Sequence, residues 1–544
     1  MQRIKSLKRP LLLAGTIAAT TILPARLQAQ ECLGEGPISV SCGPGATATG
    51  FQATAVGNPS NATGNYSTAV GAQTVASGSQ SSSFGFNASS GGSHATAVGT
   101  YSTAPGLEGS AFGVSANAAG PYSTAVGTVA RATGTQSSAV GATANAGGSF
   151  STAIGTFSNS AGISSSAVGS SANAAGGFST AIGTFASAPG LQSSALGAGA
   201  TATGNFSTAS GNAAEAGDFQ SSAFGNRATA KGPDSTAVGS ASTASGLGSL
   251  AVGRVSWAPG SEATAVGSFA SATAERTTAV GNSAQASGYE ATAIGRSATA
   301  TGSFAMASGP YASATEGQSS AYGLRSNAAG FGSTAVGNFA SASNSFSSAL
   351  GGGAMATADY SLAVGLAAAT GSSSVSIGQS SRASGSGATA AGAFSQAAGL
   401  KGSAYGTSAS AAGAFSTAVG DAASATASGA TAVGTNTVAA GQSSLAAGLS
   451  ATATGNRSIA LGSAATASGD FVVDHAHSGR FLAKGASGDI RVGIPAGIPV
   501  WTDITTVSGT IHSSLTSAGQ PAEGQDHIEL RAKTVSGDIV LSQI

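Results

Sequence analysis

Charged residues are scarce in this chain of 544 residues. Lys and Arg number 20, Asp and Glu also number 20, and together they make up 7% of the sequence with no net charge. A nucleic-acid-binding surface needs clustered Lys and Arg, and the basic residues here are scattered. Disordered chains are usually hydrophilic and highly charged, whereas this chain has a positive mean hydropathy. We therefore expect an ordered protein that does not bind nucleic acid.

Long hydrophobic runs are absent beyond the amino terminus. Arg3, Lys5 and Arg9 give a positive start, and the apolar run 11–23 that follows is too short to span a bilayer. Because Ala29 offers a small residue at a cleavage point, residues 1–29 are predicted to be a signal peptide, with a membrane anchor as the alternative. No other run of eighteen apolar residues occurs, so we expect no transmembrane helix after cleavage.

Cysteine, histidine and acidic clusters are too sparse for most site chemistry. Cys32 and Cys42 lie in a predicted amino-terminal cap, residues 30–42, and are a disulfide candidate in an oxidising compartment, with two free thiols as the alternative. Asp474, His475 and His477 form the one cluster with metal-ligand chemistry, and two alternating histidines are weak evidence. We predict no catalytic residue, no metal and no cofactor.

Glycine, by contrast, is abundant, with 83 residues, and it recurs at a fixed interval. A glycine, usually preceded by an apolar residue, recurs every fourteen residues from Gly43 to Gly365. The next rung is one residue short and ends at Gly378, and the fourteen-residue spacing then resumes to Gly462. Each of these 31 glycines is called a marker glycine below. Within a rung, two runs of period two are each closed by a turn, which predicts two strands per rung and a solenoid of parallel strands.

The alternation predicts two kinds of face in each rung. The residue before the marker glycine is usually large and apolar, while the third and fifth residues after it are small. We expect the large column to pack inside against the small one, and the Ser and Ala of the second strand, such as Ser67 and Ala69, to face outward. The predicted repeat-core residues are Val56, Val70, Val98, Val126, Ile154, Ile182, Val266, Ile294, Val336 and Val433, and the predicted turn glycines are Gly57, Gly71, Gly99, Gly127, Gly155, Gly267, Gly337 and Gly434.

Charge is absent from the second strand on both of its faces. The 20 charged residues between Gly43 and Gly469 fall at turns or on the outward positions of the first strand. A solvated face would tolerate Lys or Glu somewhere in 31 rungs. The outer face of the second strand is therefore expected to be covered, most simply by further copies of the same chain in a cyclic oligomer.

The repeated units resemble a known family. Ser-Thr-Ala-Val-Gly at 67–71 and 123–127, Ser-Thr-Ala-Ile-Gly at 151–155 and Ala-x-Ala-x-Gly at 200–204 are similar to the head repeats of trimeric autotransporter adhesins, the YadA-like proteins. The resemblance covers residues 43–469. It implies a left-handed parallel β-roll that assembles as a homotrimer. It also implies that the protein lies at the bacterial cell surface, associated with the outer membrane, or is secreted, and that it binds extracellular matrix or cell-surface macromolecules.

The carboxy-terminal segment, residues 470–544, loses the fourteen-residue period. Ser-Gly-Asp/Thr-Ile steps at 487–490, 508–511 and 536–539 resemble part of a family of right-handed β-solenoids described as adhesins. The heptads of a coiled-coil stalk and a final aromatic typical of a membrane anchor do not appear, so the mode of attachment is left open by the sequence.

The predicted architecture is thus an all-β left-handed parallel β-roll solenoid of about 31 rungs, trimeric, with a short separate β-solenoid segment after it. The predicted function is a non-enzymatic adhesin head that binds through an extended surface. An ice-binding protein or a purely structural spacer is the alternative, since rows of Ser, Thr and Ala recur in every rung. A third hypothesis places an enzyme in residues 470–544.

Overall fold

The computed structural model describes residues 32–467, 471–473, 476, 479–515 and 527–544. The predicted signal peptide and the predicted boundary at residues 469 and 470 lie outside the described residues. The chain divides into two compact units, residues 1–157 and 158–544. Both are built from strands and turns, and the described residues contain no helix. The predicted all-β solenoid of parallel strands is confirmed.

In the first unit, each rung contributes one strand to each of two parallel sheets. Sheet 1 contains the first strand of each rung: Thr47–Ala48, Ser60–Ala62, Thr74–Ala76, Ser89–Ser90, Thr103–Ala104, Asn117–Ala118, Arg131–Ala132 and Asn145–Ala146. Sheet 2 contains the second strand: Val40–Cys42, Thr54–Val56, Thr68–Val70, Ser82–Phe84, Thr96–Val98, Ser110–Phe112, Thr124–Val126, Ser138–Val140 and Thr152–Ile154. Cys42 ends the first strand of sheet 2, and its disulfide to Cys32 ties the cap to this sheet.

The second unit repeats the same arrangement. Its sheet 1 contains Asn159–Ser160, Asn173–Ala174, Thr201–Ala202, Glu215–Ala216, Thr229–Ala230, Thr243–Ala244, Trp257–Ala258, Ser271–Ala272, Gln285–Ala286, Thr299–Ala300, Ser313–Ala314, Asn327–Ala328, Ser341–Ala342, Met355–Ala356, Ala368–Ala369, Arg382–Ala383, Gln396–Ala397, Ser410–Ala411, Ser424–Ala425, Val438–Ala439, Thr452–Ala453 and Thr466–Ala467, with Ser187 as a bridge between Asn173 and Thr201. Its sheet 2 contains Ser166–Val168, Thr180–Ile182, Ser194–Leu196, Thr208–Ser210, Ser222–Phe224, Thr236–Val238, Leu250–Val252, Thr264–Val266, Thr278–Val280, Thr292–Ile294, Met306–Ser308, Ser320–Tyr322, Thr334–Val336, Ser348–Leu350, Leu362–Val364, Val375–Ile377, Thr389–Ala391, Ser403–Tyr405, Thr417–Val419, Thr431–Val433, Leu445–Ala447 and Ile459–Leu461.

Strands pair in register with their counterparts one rung on. Thr264 lies beside Thr278 and Val266 beside Val280, fourteen residues away in each case. In the short rung, Leu362 instead pairs with Val375, thirteen residues on. The missing residue falls in the turn after Gly365, where Leu366 alone precedes the buried Ala367, so the strands on either side keep their register.

The predicted orientation of sheet 2 is wrong. Ala and Ser of this sheet, including Ser67 and Ala69, are fully buried inside the coil. The residues before the marker glycines point outward instead, and Val56, Ile154 and Ile294 are 37%, 42% and 44% exposed. The correction applies to all ten predicted repeat-core residues, of which Val56, Val126, Ile154, Ile182, Ile294, Val336 and Val433 are exposed and Val70, Val98 and Val266 are half-buried.

The physical reason is the thinness of the coil. Both strands of a rung turn small side chains inward, so the two sheets approach closely over columns of Ala, Ser and Gly. The largest fully buried side chains within the rungs are Thr74, Thr277 and Thr437. A column of Val or Phe inside would hold the sheets apart and leave the facing Ala column in a void. The predicted inward position of the third and fifth residues after the marker glycine is correct outside the short rung, where the second and fourth residues, Ala367 and Ala369, are buried instead.

Two turns close each rung, and each begins where a glycine is usual. The amide of Ala270 donates to the carbonyl oxygen of Gly267 in the first turn, at 3.2 Å, and the amide of Ala263 donates to that of Gly260 in the second turn, also at 3.2 Å. The second residue inside each turn has a φ near +55°, as in Phe269 (+60°). This left-handed residue is the signature of a type II turn.

Two features of the structure favour glycine at the marker position: its backbone conformation and its closeness to the next rung. All 31 have a φ between +85° and +145°, which residues with a side chain rarely adopt. At Gly281, with a φ of +133°, an added Cβ would also lie 2.5 Å from the carbonyl oxygen of Gly295 in the next rung. The predicted turn glycines lie at these positions.

The carboxy-terminal strands are Phe471–Val473, Gly479–Ser487, Ile490–Ile494, Val500–Ser508, Ile511–Ser513, Ile528–Ser536 and Ile539–Gln543. Phe471–Val473 pairs with Ile459–Leu461, so sheet 2 continues into this segment. The long strand Ile528–Ser536 lies between Gly479–Ser487 and Val500–Ser508. The last coil along the chain is therefore the middle coil of the stack, an order that the sequence did not predict.

The Ser-Gly-Asp/Thr-Ile steps align in this stack. The amide of Asp538 donates to Asp489 Oδ1 at 2.8 Å, and both the amide and the hydroxyl of Thr510 donate to Asp538 Oδ1 at 2.7 Å. Each Asp thus accepts a bond from the next coil, which gives the repeated motif a structural explanation. Ile490, Ile539 and Leu541 fill the interior, so this coil is wide enough for large aliphatic side chains.

We predict that Gly281→Ala destabilises the second unit by about 3 kcal/mol, because alanine is strained at this φ and meets the next rung. Gly248→Ala is the matched control: Gly248 has a φ of +60° with no atom within 4 Å of an added Cβ, and most rungs carry a side chain at this position. Its effect should stay below about 1 kcal/mol. Denaturant unfolding measures both, and equal losses would contradict this account of the marker glycine.

A second prediction concerns Asp538. The amide of Thr510, and then its hydroxyl, hold the pKa of this carboxyl below its ordinary value. Because the folded pKa is depressed, the stabilisation is present above the ordinary carboxyl pKa of about 3.9 and is lost as the pH falls through and below it. Hydrogen–deuterium exchange in 508–513 should show lower protection at pH 3 than at pH 6. Asp538→Asn should have low protection at both values, and unchanged protection in that variant would contradict the prediction.

Candidate functional site

The outward face of sheet 2 carries a column of mostly large apolar side chains in each unit. Its two columns are the residues eleven and thirteen places after the marker glycine, for example Thr264 and Val266, or ten and twelve places after it in the short rung. Neither column holds a charged residue in any rung. Exposed contiguous apolar surfaces of this kind mark interaction sites on soluble proteins. The second strand carries no charge on its outward face, as expected from the sequence. The side chains on that face are larger and more apolar than the expected Ser and Ala.

The first-turn ridge consists of the two residues that follow each marker glycine. In the second unit it carries four exposed arginines between residues 212 and 353 and no acidic residue. Three of them stack on aromatic rings of neighbouring rungs: Arg254 over Phe269 at 4.4 Å, Arg296 over Tyr311 at 4.8 Å, and Arg325 over Tyr311 and Phe339 at 5.7 and 5.6 Å. The fourth is Arg227.

The second-turn ridge, residues seven to nine after each marker glycine, is acidic over the same rungs. Its acidic residues in 211–364 are Asp218, Asp234, Glu262, Glu275, Glu290, Glu316 and Asp359, and Arg276 is its one basic residue there. Arg276 bonds Glu262 at 3.1 Å and Glu290 at 3.2 Å. The hydrogen bond to Glu262, and then the one to Glu290, raise the pKa of the guanidinium. Hydrogen bonding with Glu290 also raises the pKa of Tyr289.

Aromatic pairs also lie along the second-turn ridge. Phe331, Phe346 and Tyr360 follow one another in successive rungs, with ring centroids 5.5 and 5.3 Å apart. Phe206 and Phe219 form a further edge-to-face pair at 5.7 Å. All of these rings are exposed, so the ridge offers apolar contacts beside its carboxylates.

The outward face of sheet 1 is polar and mostly neutral. Ser, Thr and Asn dominate it, and Asn159 donates to Asn173 Oδ1 of the next rung at 2.8 Å. Lys231 and Glu215 form a surface ion pair at 3.2 Å. Trp257 is 48% exposed in the middle of this face, which makes it an apolar anchor surrounded by hydroxyl groups.

The predicted weak metal cluster cannot be placed, because Asp474, His475 and His477 lie outside the described residues. Elsewhere, among residues that the structure describes, no group of three His, Cys, Asp or Glu side chains converges as a metal site would require. His512 bonds the hydroxyl of Thr510 at 3.0 Å. The part of the chain in the structure also has no helix with the length and hydrophobicity that a membrane crossing demands.

Comparison with protein families identifies the repeats. The YadA head domain repeat family matches the chain over most of the solenoid, more than half of the sequence. The matched residues are 48–74, 76–102, 104–130, 132–158, 160–186, 188–214, 219–312, 328–368, 369–395, 411–437 and 439–473. The chain therefore belongs to the YadA head repeat family, as the motifs predicted. Membership indicates an adhesin-type surface protein.

A search of curated proteins finds no match to the chain. The family match ends at residue 473, so the resemblance of the carboxy-terminal segment to a second adhesin-like family stays a prediction. Sequence reasoning missed the two ridges as separate surfaces. The signal was available, because sorting the charged residues of 212–353 by turn separates the four arginines of the first turn from a second turn that is predominantly acidic.

Proposed function

We propose that three copies of this chain pack their sheet-2 faces around a common axis and act as a non-enzymatic adhesin head. The observation that carries the proposal is the sheet-2 face, which is free of charge in every rung and has a column of mostly large apolar side chains beside a column of mostly Thr and Ser. YadA-like heads are trimeric in general, and membership in that family supports the same arrangement. A cyclic trimer buries this face in all copies at once.

The site of action follows from the assembly. With sheet 2 at the axis, the polar face of sheet 1 points outward over the length of each unit. We infer that this face and the exposed aromatic side chains at its margins bind extracellular matrix or cell-surface macromolecules. Extended contacts over many rungs suit a large partner better than a small molecule. Export to the bacterial surface, or secretion, is part of the same proposal and agrees with the family.

The trimer predicts the effect of a charge on sheet 2. Ile294→Lys would place three unpaired ammonium groups near the axis, each costing at least about 3 kcal/mol in the assembled state, so the trimer should dissociate. Thr299→Lys is the matched control, because it lies five residues away on the outward face of sheet 1 and should leave assembly unchanged. Sedimentation equilibrium of the full chain measures both. A monomeric wild-type chain with a folded solenoid would overturn the proposed trimer.

Adhesin function predicts a role for Trp257. Trp257→Ala should weaken binding of the full chain to immobilised collagen or fibronectin, or to cultured cells, by about tenfold on the partner it recognises, as expected for an exposed aromatic anchor. Trimer mass should not change. Val438→Ala, at the same position in a distant rung, is the control for truncating an outward apolar side chain. Wild-type trimer that binds none of these surfaces would contradict the adhesin assignment.

A further inference from the structure

The sheet-2 face alone does not decide how two copies face each other. Its columns repeat nearly the same residues in every rung, with Thr or Ser beside Val, Ile, Leu or Phe. Two such faces would pack with similar apolar contacts whether the chains run parallel or antiparallel. A protein that must form one assembly therefore needs a second feature that separates the two arrangements.

The two ridges flank this face on opposite sides. Within a rung, the second turn precedes the sheet-2 strand and the first turn of the next rung follows it; for strand Thr292–Ile294 these are residues 288–290 and 296–297. In a parallel ring, each chain's first-turn ridge lies beside the second-turn ridge of its neighbour, because such contacts are heterologous. In an antiparallel face-to-face pair, the first-turn ridges of the two chains would instead lie against each other, and so would the two second-turn ridges.

Charge on the ridges distinguishes these arrangements. The charged residues of the first-turn ridge in 212–353 are all arginines, while those of the second-turn ridge in the same rungs are predominantly acidic. Parallel chains would bring opposite charges together, and antiparallel chains would place arginines against arginines and carboxylates against carboxylates. Like charges brought together at an interface are strongly unfavourable.

The charges also lie at matching heights. Each arginine has a carboxylate in the opposite turn fewer than ten residues away along the chain, which is less than one rung: Arg227 with Asp234, Arg254 with Glu262, Arg296 with Glu290, and Arg325 with Glu316. One rung corresponds to about 4.8 Å along the stack. Long arginine and glutamate side chains span such an offset.

The arginines are available for a partner. Arg227, Arg254, Arg296 and Arg325 are exposed, and no ion pair to a carboxylate is formed by any of them within the described chain. Stacking on an aromatic ring holds three of the side chains in place on the ridge. A guanidinium that stacks on a ring face keeps its N–H groups at the edge for bidentate bonding to a carboxylate.

We propose that the arginine-bearing first-turn ridge of one copy binds the acidic second-turn ridge of the next copy, and that this contact selects the parallel ring over antiparallel pairing. The occupant of the first-turn ridge is thus a second copy of this chain, as charge complementarity over the same rungs indicates. The inference rests on the proposed trimer and adds to it the feature that sets chain direction.

The test uses three variants of the full chain. The first-turn reversal changes Arg227, Arg254, Arg296 and Arg325 to Glu, and makes both ridges acidic. The second-turn reversal changes Asp234, Glu262, Glu290 and Glu316 to Lys, and makes both ridges basic. The charge swap combines the two sets. A control, Arg131→Glu with Arg382→Glu, alters charge on the sheet-1 face only.

We expect each single reversal to raise the concentration at which half of the trimer dissociates by at least about tenfold in low salt, as measured by sedimentation after refolding. The charge swap should return it to within about threefold of wild type, and the control should not change it. High salt should narrow the difference between the reversals and wild type. Rescue by the swap excludes misfolding as the cause of the loss.

Chain direction has its own readout. Spin labels at Ser424→Cys lie at equal heights in a parallel ring, whereas antiparallel pairing centred on the charged rungs would separate them by roughly 100 Å. We expect the short separation in wild type and in the charge swap.

Two outcomes would overturn the inference while leaving the proposed trimer intact: reversals that assemble like wild type, or a swap that fails to rescue. An antiparallel label distance would overturn both the inference and the trimer, because chains related by a cyclic axis run parallel. Loss of binding to heparin in the first-turn reversal, with assembly unchanged, would assign the arginines to an acidic polysaccharide instead. A wild-type chain that is monomeric at every salt concentration would overturn the proposed trimer itself.

Discussion

The space between the two strands of a rung admits no fully buried side chain larger than threonine, and this limit decides where other residues lie. Ala and Ser fill the interior at full burial. Larger apolar residues are excluded from this space and lie mainly on the outer face of sheet 2 and in the turns, where a single chain leaves them partly exposed. Charged residues, which would be costly in either place, collect in the turns and on the outer face of sheet 1. One packing constraint therefore produces three chemically distinct surfaces.

The turns show how strictly a position depends on backbone geometry. Every rung begins with glycine at the marker position, where the positive φ disfavours a side chain and, in most rungs, the close approach of the next rung excludes one. The glycine that begins the second turn is replaced in some rungs, for example by Asp218, Ala274 and Glu316. The left-handed residues inside the turns include Phe269 and Arg276. Their amides bond to carbonyl oxygens of the rung before, at 2.9 and 2.8 Å, which offsets the cost of that conformation.

The sequence predicted the period, the strands, the turns and the short rung, because each of these depends on residue types at fixed positions within a single repeat. It did not predict which face of sheet 2 lies inside. The alternation indicates that Ala69 and Val70 point in opposite directions. Which of the two points inward depends on the thickness of the coil, and that thickness is set by both strands together. The carboxy-terminal stack makes the same point, since the interior there does hold Ile490 and Ile539. Its coil order was also beyond local reasoning, because it is set by pairing across tens of residues.

Regularity gives this fold its interior and also creates a difficulty for assembly. Similar rungs make a face whose composition changes little along each unit, so burial can drive association without specifying direction. Only positions released from packing can differ from rung to rung, and these are the turns and the outer face of sheet 1. The turns border the apolar face and therefore carry the residues that can tell one neighbour from another. The outer face of sheet 1 points away from the apolar face, which leaves Trp257 and the surrounding hydroxyl groups free to contact a different molecule.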